Sequence, residues 1–577
     1  MNKRITVFMF CAMLICGIAQ AASLIDPSNP NIQYRGRWDY SNPSAPWCHA
    51  KSSTIIANFQ GTSIAVSFSG GTSDYIRVII DDDAQGSGKI PTPAGLTTIV
   101  SGLSDTIHKI EIVKETDQGR MTFNGFELDA GRSLDTPPPR PPRKIEFYGD
   151  SNQAGYSLES ERNDGDVALR GNYYTYPAIV ARMFNAEYVN FSKSGSTIGS
   201  TDTANNRIDW SSSSPLWNFN NFQADLVVVN VGANDKGPEK RKKDKYHAFL
   251  DDLRAEHPSA HIMLYNAYGW SFNEPANYIQ EVIEARNDSN MSWAVFPWVF
   301  AQWHGCEDDH GGMAMVLADH ITSVLGWDPE APQDVFSGFG INGDVANGSF
   351  EEVAPFGGWG WRYFDDPGVS RVYALGGAYD GDYYLSLSDG AHSQQTNPAN
   401  SGDSFTVTAW MRGASDGDQV YMTIDFRDQG DGGRETAPVV AFTETKTLTI
   451  SWAQYSMSAT APTSGNPIFG TRITFTAATG DTVDIDGVVS SLEGGSICGD
   501  TNCDPGEGPC NCSEDCGLPP SEETNCTDGV DEDCDDYTDC DDSECVGNPA
   551  CDCKDKGTIC YSDSECCGNK CRGGKCR

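Results

Sequence analysis

The sequence predicts a multidomain protein in which an α/β unit with a parallel sheet lies between two strand-rich sandwiches and precedes a disulfide-rich tail. Three observations carry this reading. From Lys144 onward short apolar runs alternate with amphipathic ones, the pattern of strands and crossover helices in a parallel sheet covered on both faces. On either side of that region the apolar residues recur every second position between Gly, Ser, Thr and Asp turns, as in β-sandwiches. Apart from Cys11, Cys16, Cys48 and Cys306, all 20 cysteines fall between Cys498 and Cys576.

Residues 1–22 read as a secretory signal. Lys3 and Arg4 form the charged end, VFMFCAMLICGIA is the apolar stretch, and AQA is the cleavage site. That stretch is short for crossing a bilayer, and no later segment is long and apolar enough to do so. The expected setting is therefore outside a bacterial cell, without a membrane span, where disulfides suit the cysteine-rich tail. Cys48 and Cys306 are left over, either free or paired with each other. With 81 Asp and Glu against 40 Lys and Arg, the net charge is −41. Nucleic acid is an unsuitable partner, because phosphate binding needs clustered cations. A monomer is expected.

Residues 23–135 form the first sandwich, with strands read at STIIANFQ, SIAVSFSG, YIRVIIDDD, TIHKIEIVKE and RMTFNGFELD. TPPPRPPR, residues 136–143, is a stiff linker. Residues 144–327 are the α/β unit. Its strands are KIEFYG, AEYVNFS, ADLVVVNVG, HIMLYNAYG and SWAVFPWV. Its helices are TYPAIVARMFN, KYHAFLDDLRAEHP, ANYIQEVIEARN and MAMVLADHITSVLGW. Residues 328–340 link to a second sandwich, 341–493. The tail, 494–577, has almost no apolar core and must fold through disulfides, with or without metal.

In such sheets the ligand site lies at the carboxyl ends of the strands. Gly149-Asp150-Ser151 follows the first strand of the unit. Alone it reads as a turn. Its serine becomes a nucleophile only with a base and an oxyanion hole. Gly195, in the loop after the second strand, offers a backbone N–H that a ligand can approach closely. Asn234, after the third strand, offers a side-chain amide donor. His304 and His310 lie in QWHGCEDDHGGMAM before the last helix. His261 at a strand start and His320 inside a helix read as structural. Four such elements in this order point to nucleophilic hydrolysis. Asp150 reads as a turn-shaping residue.

GDSNQAG, SKSGS, GAND and the late histidines resemble the SGNH (GDSL-type) hydrolase superfamily. The preceding sandwich makes the pair, about Gln33 to Trp327, similar to carbohydrate esterase family 2, whose members remove O-acetyl groups from plant-type polysaccharides. The resemblance implies a jelly-roll sandwich beside an α/β/α hydrolase. It implies Ser151 as nucleophile, with Ser151 N–H, Gly195 N–H and Asn234 as the oxyanion hole. It implies acetylated xylan or glucomannan as the class of partner, and no cofactor for catalysis. In the family a second His follows the base by six residues and precedes Met-Ala, so the resemblance implies His304 as the base and His310 as a helix-start residue, before Met313-Ala314. Gln302 stands where the family has an orienting Asp, which implies a Ser–His dyad, because a Gln cannot offset imidazolium charge. The alternative places the base at His310 with Glu307 or Asp308 orienting it. Tyr156 and Trp303 are candidates for stacking on a sugar, or for packing.

The second sandwich resembles jelly-roll carbohydrate-binding modules. That likeness implies a structural Ca²⁺ held by Glu351 and Asp486, against a plain solvated acidic edge. Trp359, Trp361 and Tyr363 are either a sugar platform or core. The acidic tail either binds Ca²⁺ or forms charged disulfide loops, and it is a candidate for anchoring at a surface or to a polysaccharide. Two other functions fit the sequence: a lipase or thioesterase on the same frame, and a non-catalytic glycan-binding surface protein.

Overall fold

The computed structural model describes residues 24–83, 88–160, 164–267, 278–296, 304–330, 344–353, 360–363, 366–428, 438–465, 468, 470–493, 571–572 and 575–576. The signal, Gln302, Trp303, Trp359 and nearly all of the tail lie outside them.

The central sheet follows from alternation inside apolar strands. Its strands are β1 (Arg143–Gly149), β2 (Ala186–Ser192), β3 (Leu226–Asn230), β4 (His261–Ala267) and β5 (Met291–Phe296), all parallel, in the order β2-β1-β3-β4-β5. Every residue of β3 is buried. Its even positions, Leu226 and Val228, pack with Ile145, Phe147 and Met263 in one core. Its odd positions, Val227 and Val229, pack with Tyr148, Val189 and Ile262 in another. A strand with two apolar faces needs a helix layer on each, and the chain supplies both. Helices α1 (Tyr176–Met183) and α5 (Glu307–Leu325) cover the first core through Ile179, Met313, Leu317 and Ile321. Helices α2 (Ile198–Ala204), α3 (Glu239–Glu256) and α4 (Ile279–Glu284) cover the second through Ile198, Phe249, Leu253 and Val282. The strand order reverses between β2 and β3, and that reversal opens a crevice at the end of β1. His261 and His320 both reach Ser292 Oγ, at 2.8 and 3.4 Å.

The preceding domain is one ten-stranded antiparallel sheet wrapped around Trp38, Ile55, Phe59, Val66, Phe68, Ile112, Phe123 and Phe126. STIIANFQ and SIAVSFSG, expected as separate strands, are one: Thr54–Gly70. The Gly61-Thr62 step that suggested a turn is instead a register shift against the Gly95–Lys114 strand, with Gly61 at φ +137°.

The two domains share a buried charge cluster. Arg37 donates to Glu146 of β1 at 2.5 Å, and His257 lies 2.9 Å from the same carboxylate, with all three buried. Burial would raise the Glu146 pKa, but Arg37 and His257 hold it below its ordinary value. The 136–143 linker is tied down as well: Gln33 donates to the Pro138 carbonyl at 2.9 Å, and Arg140 pairs with Glu187 at 2.8 Å.

From Val369 onward, a five-stranded and a four-stranded antiparallel sheet enclose Leu385, Phe405, Val407, Ile424, Phe426 and Phe475. Trp361 is fully buried in this core, and Tyr363 packs against it, so neither is an open sugar platform. Glu351 accepts from the amides of Asp382 and Tyr383, each at 2.7 Å. Asp486 accepts from those of Tyr379, Asp380 and Gly487 at 2.7–2.8 Å. Both carboxylates therefore brace the loop of residues 379–383 through backbone amide donors. Among the described residues no three His, Cys, Asp or Glu side chains converge on a metal position.

Candidate active site

Three loops are stitched together at the crevice. Gly149 ends β1 where a Cβ would lie 2.5 Å from Gln153 and 2.8 Å from the Asn230 carbonyl, so only glycine fits. Its carbonyl accepts from Lys193 N–H at 3.1 Å and from Ser196 Oγ at 3.0 Å, binding the loop after β2. Asp150 N–H donates to the Asn230 carbonyl at 3.2 Å, binding the end of β3. Asn234 Nδ2 donates to the Ser196 carbonyl at 3.0 Å, and Asp235 accepts from Ile198 N–H at 2.7 Å. Lys245 also pairs with Asp235.

Ser151 begins the turn after β1. His304 Nε2 lies 2.7 Å from Ser151 Oγ, hydrogen-bonding distance for a nucleophile and its base. Burial, then the nearby Arg170 guanidinium, push the His304 imidazole down to about 4, so it is neutral at pH 7. Gly195 sits at φ +79°, in the left-handed region, within an exposed turn. Among the described residues, neither Ser151 N–H nor Gly195 N–H donates to the protein. The Asn234 amide is oriented by Ser196 and has a second N–H to give. Asp150 Oδ1 accepts from Asn152 N–H at 3.1 Å, a turn contact, and burial pushes its carboxyl up to about 7.

His310 is elsewhere. It is buried in the first turns of α5, accepts from Tyr176 N–H at 3.2 Å through Nδ1, and stacks on the Tyr176 ring at 5.8 Å. Burial pushes it down to about 4. Glu307 N–H donates to the Leu158 carbonyl at 3.0 Å, and Asp308 is buried and pushed up to about 6. Gln302 lies outside the described residues. Cys48 and Cys306 are free and both buried, not paired.

Sequence reasoning missed Arg170, Lys51 and Asp235 as supports, and left Tyr156 between sugar stacking and packing. Tyr156 packs its ring 4.5 Å from the His304 imidazole, and the Arg170 guanidinium lies 4.5 Å over the same ring. Lys51, from the preceding domain, donates to the Ala154 carbonyl at 3.1 Å in the loop that carries Ser151. No local signal marks Lys51, because its position arises from domain docking, whereas Arg170 is held within the α/β unit by the Gly165 carbonyl and the Tyr156 ring. Asp235 had a signal: it is the last residue of GAND.

A serine paired with a histidine at the switch point of a parallel sheet, beside two free amides and an oriented Asn, defines a hydrolase site of the GDSL, or SGNH, type. Comparison with known proteins agrees. Residues 147–320 match the GDSL-like lipase/acylhydrolase family, and residues 34–138 match the carbohydrate esterase 2 N-terminal family. The two matches lie side by side in the chain. It is 28% identical over 339 residues to the cellulase/esterase CelE of Acetivibrio thermocellus, covering 54% of this chain and 41% of that one. It is 23% identical over 330 residues to an acetylxylan esterase / glucomannan deacetylase of Cellvibrio japonicus, covering 52% of this chain and 91% of that one. Among solved structures it is similar to an active site mutant of a family two carbohydrate esterase from Clostridium thermocellum. That match has 26% identity and a TM-score of 0.48, covering 52% of this chain and all of the other.

Proposed function

We propose that the protein is a secreted serine esterase that removes O-acetyl groups from polysaccharides of the acetylated xylan or glucomannan class. The observation that carries this is the 2.7 Å contact between His304 Nε2 and Ser151 Oγ at the end of β1. The resemblance to a cellulase/esterase and to an acetylxylan esterase / glucomannan deacetylase supports the substrate class.

The geometry supports a Ser–His reaction. Neutral His304 takes the Ser151 proton as Oγ attacks the acetyl carbonyl. Ser151 N–H, Gly195 N–H and the free N–H of Asn234 hold the developing oxyanion. His304 returns the proton to the departing sugar oxygen. Water, activated by the same histidine, then releases acetate from Ser151. No step needs a metal. Tyr156 packs on the imidazole and fixes its plane.

Residues 1–22 act as the export signal, and the second strand-rich domain is a jelly-roll carbohydrate-binding module in this reading. The protein acts as a monomer. In the same reading a structural Ca²⁺ binds at Glu351 and Asp486 of the second strand-rich domain and in the acidic tail. The test is acetate release from acetylated xylan and acetylated glucomannan by the purified protein and by Ser151→Ala. Release by the first and none by the second supports the reading. No release from either substrate, with the fold intact, removes it.

A further inference from the structure

A cavity of about 730 Å³ opens between the first strand-rich domain and the α/β domain. That size lies within the range of small-molecule sites, roughly 300–1,000 Å³. One wall is His49 and residues Asp117 to Arg120. The other is Arg170, Lys193, Ser194 and residues Asp209 to Ser211. The cavity adjoins the candidate active site on two sides. Ser194 immediately precedes Gly195. Arg170 covers the outer part of the Tyr156 ring that packs on His304.

The charges on these walls do not balance. Asp209 is paired with Arg120, at 2.9 and 3.1 Å. Asp117 is paired with Lys51 behind it, at 3.3 Å. Each carboxylate is therefore matched, and two cations remain. Arg170 donates to the Gly165 carbonyl at 2.7 Å, but its Nε is buried with no hydrogen-bond partner. The Lys193 ammonium lies 5.7 Å from the centre of the Trp210 ring. Neither has a carboxylate partner among the described residues. His49 Nδ1 is also buried without a partner. Two unmatched cations are unexpected in a chain of net charge −41, whose overall field repels anions. Beside a histidine that must accept a proton, Arg170 is also unfavourable unless something neutralises it.

The other lining groups suit a sugar. Trp210, itself stacked on Phe191 at 4.7 Å, offers an aromatic surface, and Gln118, Ser194 and Ser211 offer hydrogen-bonding groups. We infer that this cavity is a subsite for a carboxylate-bearing sugar, a hexuronate unit of the same polysaccharide, recognised by Arg170 and Lys193. The uronate would neutralise both cations, and Arg170 can take its carboxylate through charge-assisted hydrogen bonds. The substrate class is then an acetylated acidic polysaccharide rather than a neutral one. This rests on the esterase reading.

The test compares two acetylated xylo-oligosaccharides, one carrying a glucuronate branch and one without it. The expected kcat/KM is about tenfold higher for the acidic substrate at low ionic strength, with the preference fading in 0.5 M salt. Lys193→Gln should lose most of that preference while hydrolysing 4-nitrophenyl acetate at the unmodified rate. Equal kcat/KM for the two substrates overturns the inference, as does an equal loss on both in Lys193→Gln. The second arm does not depend on turnover: calorimetric titration of Ser151→Ala with the unacetylated glucuronate-bearing and neutral oligosaccharides. Salt-sensitive binding of the acidic one alone, abolished in the Lys193→Gln double variant, supports the subsite even if no acetate is ever released. Absence of any such difference rejects it.

Discussion

Arg362 Nη2 of the second strand-rich domain lies 2.5 Å from Asp309 Oδ1 in the first turn of α5. Asp309 Oδ2 meanwhile accepts from Cys306 N–H at 2.9 Å, two residues beyond His304. Arg362 also contacts the buried Cys306 thiol, and the Gly360 amide donates to Asp308. The domain expected to be a separate binding module is therefore fastened to the segment that delivers the histidine. Breaking a buried ion pair by removing one partner costs roughly 3 kcal/mol. Arg362→Ala should therefore lower the melting temperature and reduce kcat/KM on a small acetyl ester. In a double-mutant cycle Arg362→Ala and Asp309→Ala should be far from additive. Additive effects would show the two residues act independently.

The pH profile should report the depressed histidine. His304 is pushed down to about 4 by burial and Arg170, so the neutral, proton-accepting form persists well below the ordinary imidazole value. The acid limb of kcat/KM should fall with a midpoint near pH 4. Arg170→Gln removes a cation that disfavours imidazolium, so its midpoint should move upward. A limb near pH 6.5 in the unmodified protein would contradict this.

Asp150 should make the fold sensitive to alkali. Its carboxyl, pushed up to about 7 by burial, binds its proton more tightly in the folded state than in the unfolded chain. Stability from this group is thus fully present at acid pH and lost as pH rises toward and through 7. Asp150→Asn preserves an acceptor for Asn152 N–H and removes the charge. It should match the unmodified protein's unfolding free energy near pH 4 and exceed it at pH 8, by about 4 kcal/mol at most. A constant offset between the two proteins would refute the assignment.

The oxyanion donors should separate in kinetics. Asn234→Ala removes one side-chain donor and should lower kcat about 10²–10³-fold with KM nearly unchanged. Gly195→Ala must hold a side chain in a left-handed conformation, at a local cost of roughly 1–2 kcal/mol. A Cβ there meets nothing within 4 Å, so the loss should come from a re-aimed N–H rather than a clash. An Asn234→Ala protein with unaltered kcat would show that its amide only braces Ser196.

Much of the α/β unit was legible because its signals are local. The LVVVN run of β3 reads as a strand buried on both faces, three short motifs fall at strand ends, and the fourth precedes the last helix. Gly61 misled because a bulge and a turn use the same residues. Arg37–Glu146, Arg362–Asp309 and the stack of Arg170 on Tyr156 were invisible. The two ion pairs join residues far apart in sequence, and the Arg170 stack spans an irregular loop, so nothing in either residue's neighbourhood records the other. Trp361 was ambiguous for a simpler reason: an aromatic in a sandwich has the same sequence context whether it faces core or solvent.

The most direct test measures kcat/KM for acetate release by His304→Ala and His310→Ala side by side, with near-ultraviolet circular dichroism confirming that both fold. Loss of at least about 10³-fold in His304→Ala, with most activity kept in His310→Ala, is the result this account predicts. Activity retained in His304→Ala and abolished in a folded His310→Ala would contradict it, and would move the base into the first turn of α5.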